Sequence, residues 1–282
     1  MTYTGFTALE ITAHDAVLTV SLNNPPLNLL DSTLIPELKR FVREAASDDT
    51  TRVIVFESAV PGFFAAHVDL GYGADPSAFM ALGADDSGHN GLNPMQHLMA
   101  SIRALPQVTI AKLRGRLRGG GNELAMAADL RYAAADETWL GQIEGRMGII
   151  PGGGGTQFLS RAIGRSRALE AVLTADLYDT ATAEMYGWIT RAFPAGDLDA
   201  AVSDIAQRIG TRLPSQILAA KAAIDPTTAG DRLDDDLRAE GAALAHVYPS
   251  PAHIEKRMND ALADGLQTPE NERNLEAFLD RY

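Results

Sequence analysis

The sequence predicts an α/β domain followed by a run of α-helices. Short β-branched or apolar runs alternate with apolar stripes at helical spacing through the first two thirds, and past about residue 195 only helical stripes remain. The expected division is therefore 1–195 for an α/β core and 196–282 for a helical region. Of the 282 residues 46% are hydrophobic and 22% charged, a composition that fills a core and argues against disorder.

The elements follow in order. Within residues 7–22, the runs FTALEIT and AVLTVSL are interrupted by polar His14 and Asp15, the pattern of a strand hairpin. The loop NNPPLN comes next, where two prolines forbid a central strand. Leu34, Leu38, Phe41, Val42 and Ala45 make a helical stripe, with Asp31 or Ser32 to cap it and Pro36 tolerable near the first turn. Residues 52–56 (RVIVF) read as a buried strand, and 71–93 as a glycine-rich excursion with one helical turn near Phe79–Leu82. A helix over Met95–Leu105 and a strand at 108–113 follow. Gly119-Gly120-Gly121 opens a helix running to Ala128, with a strand at 130–135 after it. A loop then carries Gly141 and Glu144, and Pro151–Gly155 leads into a helix over Thr156–Ile163. In the last third the stripes are Leu198, Val202, Ile205, Ile209, and then Leu233, Leu237, Leu244, Val247. Thr268-Pro269-Glu270 starts a final helix toward Leu275, Phe278, Leu279 and Tyr282.

Composition excludes several chemistries. The net charge of −13 argues against nucleic acid or an anionic membrane as the main partner. With no cysteine, disulfides, thiolate metal sites and a Cys nucleophile are impossible. The six histidines are scattered without an HExxH, so no metal site is expected. There is no GxSxG, and Gly152–Gly155 lacks the Lys-Ser/Thr of a phosphate loop. The opening MTYTGFTALE has neither the basic start nor the apolar stretch of a signal peptide, and no run is long enough to span a bilayer, so the expectation is a soluble, cytoplasmic protein.

The remaining chemistry sits around Gly119–Leu124 and Glu144. Free N–H groups at a glycine-opened helix N-terminus form a preorganised site for a developing oxyanion. Glu123 lies in that first turn, and Glu144 in a glycine-flanked loop. Together they would make an acid/base pair with separated pKa values. On spacing alone they also read as a helix-terminal charge and a solvated loop residue.

Four segments resemble the enoyl-CoA hydratase/isomerase (crotonase) superfamily. Asn23–Asn28 (NNPPLN) is similar to its N-R-P-x-x-N-A-L, and Phe64–Leu70 (FAAHVDL) to its F-x-A-G-A-D-L. Gly119–Leu124 (GGGNEL) is similar to its G-G-G-x-E-L. GQIE at 141–144, with GIIPGGGGTQ at 148–157, is similar to its G-x-P-E…G-x-x-P-G-x-G-G-T-Q. The resemblance implies a crotonase (ClpP-like) spiral of ββα units, with a C-terminal helical region that builds homotrimers or dimers of trimers. It also implies an acyl-CoA substrate, with coenzyme A as part of that substrate and no bound cofactor. It places an oxyanion hole at the N–H groups of Val68 and Gly120, and catalytic glutamates at Glu123 and Glu144. Glu123 would activate water for attack at C3 of an enoyl-CoA, and Glu144 would give a proton to C2. Leu27, Ala66, His67, Asp69 and Leu70 are the implied substrate-contacting positions. The activity implied is that of a hydratase, a lyase. The alternatives are another enolate-forming reaction (isomerisation, decarboxylation, retro-aldol cleavage or thioester hydrolysis) or a non-catalytic acyl-CoA-binding subunit.

Some positions depart from the family. His67 replaces its usual glycine and Val68 its usual alanine, which makes His67 a proton carrier, a substrate contact, or a histidine turned away. Pro26 stands where many relatives carry a basic residue facing CoA phosphates. If strand-like, Arg114, Arg116 and Arg118 would share one face, there to replace that cation, meet an acidic substrate group, or form a solvated or inter-subunit face. Arg146 has the same alternatives. These departures point to an unusual acyl group.

Overall fold

The structure, a computed structural model, describes residues 3–86, 91–224 and 231–282. Strands β1 (Leu9–His14) and β2 (Val17–Leu22) form the expected hairpin, with Asp15 at φ 52° in the turn. Helix α1 (Leu34–Ala46) follows, and the Asp31 carboxylate accepts from Thr33 and Leu34 N–H at its start. Strand β3 (Val53–Ser58) and the short β4 (Phe63–Ala65) come next. Between residues 70 and 86 the chain holds more regular structure than one helical turn. Leu70–Gly73 forms a 3₁₀ turn and α2 (Pro76–Ala81) is a short helix capped by Asp75, while 87–90 lie outside the described residues. Helix α3 (Pro94–Arg103) opens with an Asn93/Gln96 capping box.

The next stretch repeats one unit. Strands β5 (Val108–Leu113) and β6 (Arg116–Arg118) lead to α4 (Gly120–Ala127). Strands β7 (Leu130–Ala134) and β8 (Trp139–Gly141) lead to a 3₁₀ turn at Glu144–Met147, then to α5 (Gly155–Ile163) and α6 (Arg165–Thr174). Strand β9 (Leu177–Asp179), helix α7 (Thr180–Tyr186) and strand β10 (Arg191–Phe193) close the core. Helices α8 (Leu198–Gly210), α9 (Pro214–Ile224), α10 (Asp231–Leu244), α11 (Ala252–Ala263), α12 (Pro269–Glu272) and α13 (Leu275–Leu279) complete the chain.

The large sheet runs β1-β2-β3-β5-β7-β10, parallel apart from the hairpin, and the small one runs β4-β6-β8-β9. The pairs β3/β4, β5/β6 and β7/β8 each place their first strand in the large sheet and their second in the small one. Alternation along β3 divides the core: Ile54 and Phe56 face the cluster under α1 and α3, while Val53 and Val55 face α8. In the small sheet β4, β6 and β8 lie side by side and parallel, so the loops leaving their C-terminal ends emerge together. Those loops carry Ala66–Leu70, Gly119–Glu123 and Gln142–Glu144. The site is a product of strand order.

The helical region folds back on its own chain. Helix α8 covers the second face of the large sheet, α10 packs against α3 and α5, and Phe278 and Leu279 of α13 join Ile143 and Met147. The stripe expected through Val247 ends at Leu244, and Val247 is exposed beyond the helix.

Candidate active site

Gly119 to Glu123 pass from β6 straight into α4. Gly119 takes φ 47°, and a Cβ on it would fall 2.8 Å from Glu144 Oε1, so the glycine admits the carboxyl of the neighbouring loop. Gly120 is the first residue of α4, and a Cβ there would lie 2.4 Å from Val68 Cγ2. The Val68 side chain therefore occupies the place a residue 120 side chain would need, and the two residues sit against each other. Around Val68, Leu30 N–H donates to His67 O at 3.0 Å and Asp69 N–H donates to Leu30 O at 3.1 Å. Among the described residues, no acceptor takes the N–H of Val68 or of Gly120. Two unspent backbone donors thus meet at one cavity wall, the arrangement an oxyanion hole requires.

Three carboxyls gather beside these donors. Glu123, buried on α4, accepts from Gly153 and Gly155 N–H through Oε1, both at 2.9 Å. Glu240, buried on α10, accepts from Gly154 N–H at 2.6 Å, from Thr156 N–H at 2.9 Å, and from Thr156 Oγ1–H. Alternate N–H groups at the start of α5 therefore hold alternate carboxylates, an anion cradle reinforced by the helix terminus. Glu144 differs: its Oε2 is buried without a hydrogen-bond partner.

Burial first, then Glu144 and Glu240, raise Glu123 well above the usual carboxylate range, against the pull of its two N–H donors. Glu144 is pushed up to about 7, mainly by burial and then by Glu240, with His67 opposing. Glu240 is raised by burial, against its donors. Three buried carboxyls so close together do not all ionise together. N–H groups favour the anion at Glu123 and Glu240, whereas Glu144 Oε2 has no such donor, so the carboxyls of Glu123 and Glu144 sit in unequal surroundings.

The cavity these groups line has a volume of about 620 Å3. Its wall is mostly apolar, with Leu70, Phe79, Met147, Ile150, Leu244 and Tyr248 among the lining residues. Val68, Gly120, Glu123, Glu144, His67, Asp69 and Leu70 all face it. Leu27 and Ala66 do not: they pack with Phe63 in a small buried cluster behind the loop. The Asp69 carboxylate is held by Gln267 and by Gly71 N–H.

Arg114, Arg118 and Arg146 bind groups within the chain. Arg114 binds Glu137, Asp199 and Ala195 O, and Arg146 binds Asp280 and Ala175 O. Arg118 is fully buried and chelates Glu276. Arg118 is thus neither a solvated face nor a phosphate contact. Arg116 is half-buried beside it.

Two residues escaped the sequence reading, Glu240 and Glu272. Each carried a signal: Glu240 falls in register with Leu233, Leu237 and Leu244, and Glu272 in register with Leu275 and Leu279. A charge on an apolar stripe is buried, and a buried charge needs partners.

The comparisons with known proteins agree with this geometry. The family profile described as enoyl-CoA hydratase/isomerase matches residues 12–262. The human mitochondrial methylglutaconyl-CoA hydratase is 34% identical over 232 residues, covering 81% of this chain and 66% of its own length. The human mitochondrial enoyl-CoA hydratase domain-containing protein 2 is 32% identical over 84% of this chain and 80% of its own. A crystallised Streptomyces avermitilis protein, provisionally named an enoyl-CoA hydratase, is 44% identical with a TM-score of 0.91 over 98% of both chains. Two unspent N–H donors, paired buried glutamates and the spiral that brings them together accord with these matches, and the chain belongs to the enoyl-CoA hydratase/isomerase family, within the crotonase superfamily.

Proposed function

We propose that this protein is a hydratase, a lyase that adds water across the double bond of a 2-enoyl-CoA or removes it in reverse. The observation that carries the reading is a pair of buried carboxyls in unequal surroundings, one cradled by two N–H donors and one with an unpartnered oxygen, facing one cavity beside two free N–H donors. The thioester oxygen accepts from Val68 and Gly120 N–H. Glu123 takes a proton from water as its oxygen bonds to C3, and the π electrons move to the thioester oxygen as an enolate. Glu144 then gives its proton to C2, and the enolate collapses to the 3-hydroxyacyl thioester. The next cycle begins when Glu123 returns its proton and Glu144 regains one. Coenzyme A enters and leaves as part of the substrate.

The wall chemistry favours an apolar acyl group. Arg238 is held by Asp235, and His67 by Glu272, so neither offers a free cation to an acyl carboxylate. Trimers are part of the proposal, supported by apolar Leu213, Leu218 and Ile224 exposed on and beside α9, and sedimentation tests them. A cytoplasmic setting belongs to it too: among the described residues no helix is long and apolar enough to cross a membrane, and cell fractionation decides. The activity is tested by hydration of a chain-length series of 2-enoyl-CoAs. Turnover that falls in both Glu123→Gln and Glu144→Gln supports the reading; a folded wild type inert toward every member overturns it.

A further inference from the structure

The loop that presents Val68 also carries a buried ion cluster. The His67 ring is 2% exposed, with Nε2 2.9 Å from Glu272 Oε1 and Nδ1 2.8 Å from Val68 O. A backbone carbonyl offers no proton, and an ionised carboxylate offers none. A ring with an acceptor on each nitrogen therefore carries both protons. Glu272, fully buried on α12, also accepts Gln267 N–H at 3.2 Å. Its Oε2 lies 3.9 Å from Arg118 on β6, whose Nε donates to Glu276 of α13 at 2.7 Å. His67, Glu272, Arg118 and Glu276 thus alternate in sign away from the cavity wall.

We propose that His67 is a fixed imidazolium that positions the oxyanion loop and lends its positive charge to the enolate formed there. Its charge state stands on the cluster alone; its effect on the enolate rests on the hydratase reading. Three groups face the ring: Glu272 from α12, Arg118 from β6 and, across the cavity, Glu144. Burial works against the ring's proton and Arg118 opposes it weakly, yet Glu272 outweighs both and raises His67 above its ordinary value. Glu272 is correspondingly lowered despite its burial, with His67 the main cause and Arg118 the next.

A positive charge held beside Val68 N–H costs no reorganisation when the enolate forms. Neither ring nitrogen is left to shuttle a proton. His67 is a positioning residue, and the family's usual glycine supplies no such charge.

The deciding experiment is nitrogen NMR of histidine-labelled protein, with His67 assigned by its loss in His67→Gly. The expected spectrum shows both His67 nitrogens still protonated at pH 7. A neutral His67 ring at pH 7 overturns the proposal whether or not any enoyl-CoA is turned over. Kinetics supply the second arm. His67→Gly should lower kcat on an enoyl-CoA about 10- to 100-fold with KM little changed. In Glu272→Gln, the kcat ratio to wild type should climb as pH falls from about 8 to about 5.5, because the ring regains its proton. A purely structural role would leave that ratio flat, and an unchanged kcat in His67→Gly would refute the catalytic effect. Should His67→Gly not fold, Glu272→Gln carries both arms, its His67 signal being the one whose titration moves.

Discussion

Replacing Gly153 by alanine isolates the placement of Glu123 from its chemistry. Gly153 does not occupy the left-handed region, so alanine meets no backbone strain there. The new Cβ would fall 2.2 Å from Glu123 Oε2 and 2.9 Å from Cδ. Restoring ordinary contact requires the carboxyl to retreat by about 1 Å. That motion breaks its bonds to Gly153 and Gly155 N–H, and it removes the base from the water it must activate. A misplacement of about 1 Å costs roughly 100-fold in rate, so kcat should fall by about that factor with KM nearly unchanged. Overpacking should cost about 1–3 kcal/mol of stability, read by denaturant unfolding. The assay is steady-state hydration, with unfolding confirming that the variant is folded. A folded Gly153→Ala protein with wild-type kcat would refute the reasoning, because Glu123 would then not be working from the position the cradle gives it.

Glu144→Gln should lower kcat about 100- to 10,000-fold, the usual worth of a positioned acid, as read by loss of the enoyl absorbance. Because Glu144 is pushed up to about 7 and is proposed to act protonated, kcat of the wild type should decline as pH rises through about 7, a profile measurable by pH-dependent kinetics. Glu240→Gln removes a negative charge that raises Glu144, so the alkaline decline should move to lower pH, and thermal unfolding should show lower stability because the amide NH2 meets donors in the cradle. Replacing Trp188 by Phe deletes its buried N–H donation to Asn122 Oδ1 and should cost about 1–3 kcal/mol in denaturant unfolding, with little change in KM.

Much of the fold was legible because its signals are local. The hairpin at Leu9–Leu22, the stripe of α1 and the β-branched runs of β3 and β5 follow from period and propensity over a few residues. Strands β4, β6 and β8 were not legible as strands. Each is three residues long, and Arg116-Leu117-Arg118 has no apolar alternation until the burial of Arg118 by Glu276 is known. Helices α6 and α7 went unread because Leu169, Leu173 and Met185 are exposed, which blurs the stripe that a one-sided helix would show. In the site, Glu123, Glu144, Val68 and Gly120 were reached through motifs close in sequence. Glu240 and Glu272 act across long separations, from helices that dock on the catalytic loops only in the folded chain. His67 stood out in the sequence as a departure from the family pattern. Its partner at residue 272 could not be named from spacing, because the two meet only in the folded chain.

The most direct test of the account is hydration of a 2-enoyl-CoA in deuterated water, read by mass spectrometry of the 3-hydroxyacyl product. The account predicts one non-exchangeable deuterium at C2, delivered by Glu144, with product formation falling together in Glu123→Gln and Glu144→Gln. Hydration that proceeds at the wild-type rate in either variant would contradict the proposed pair. So would a folded wild-type protein that turns over no enoyl-CoA of any length.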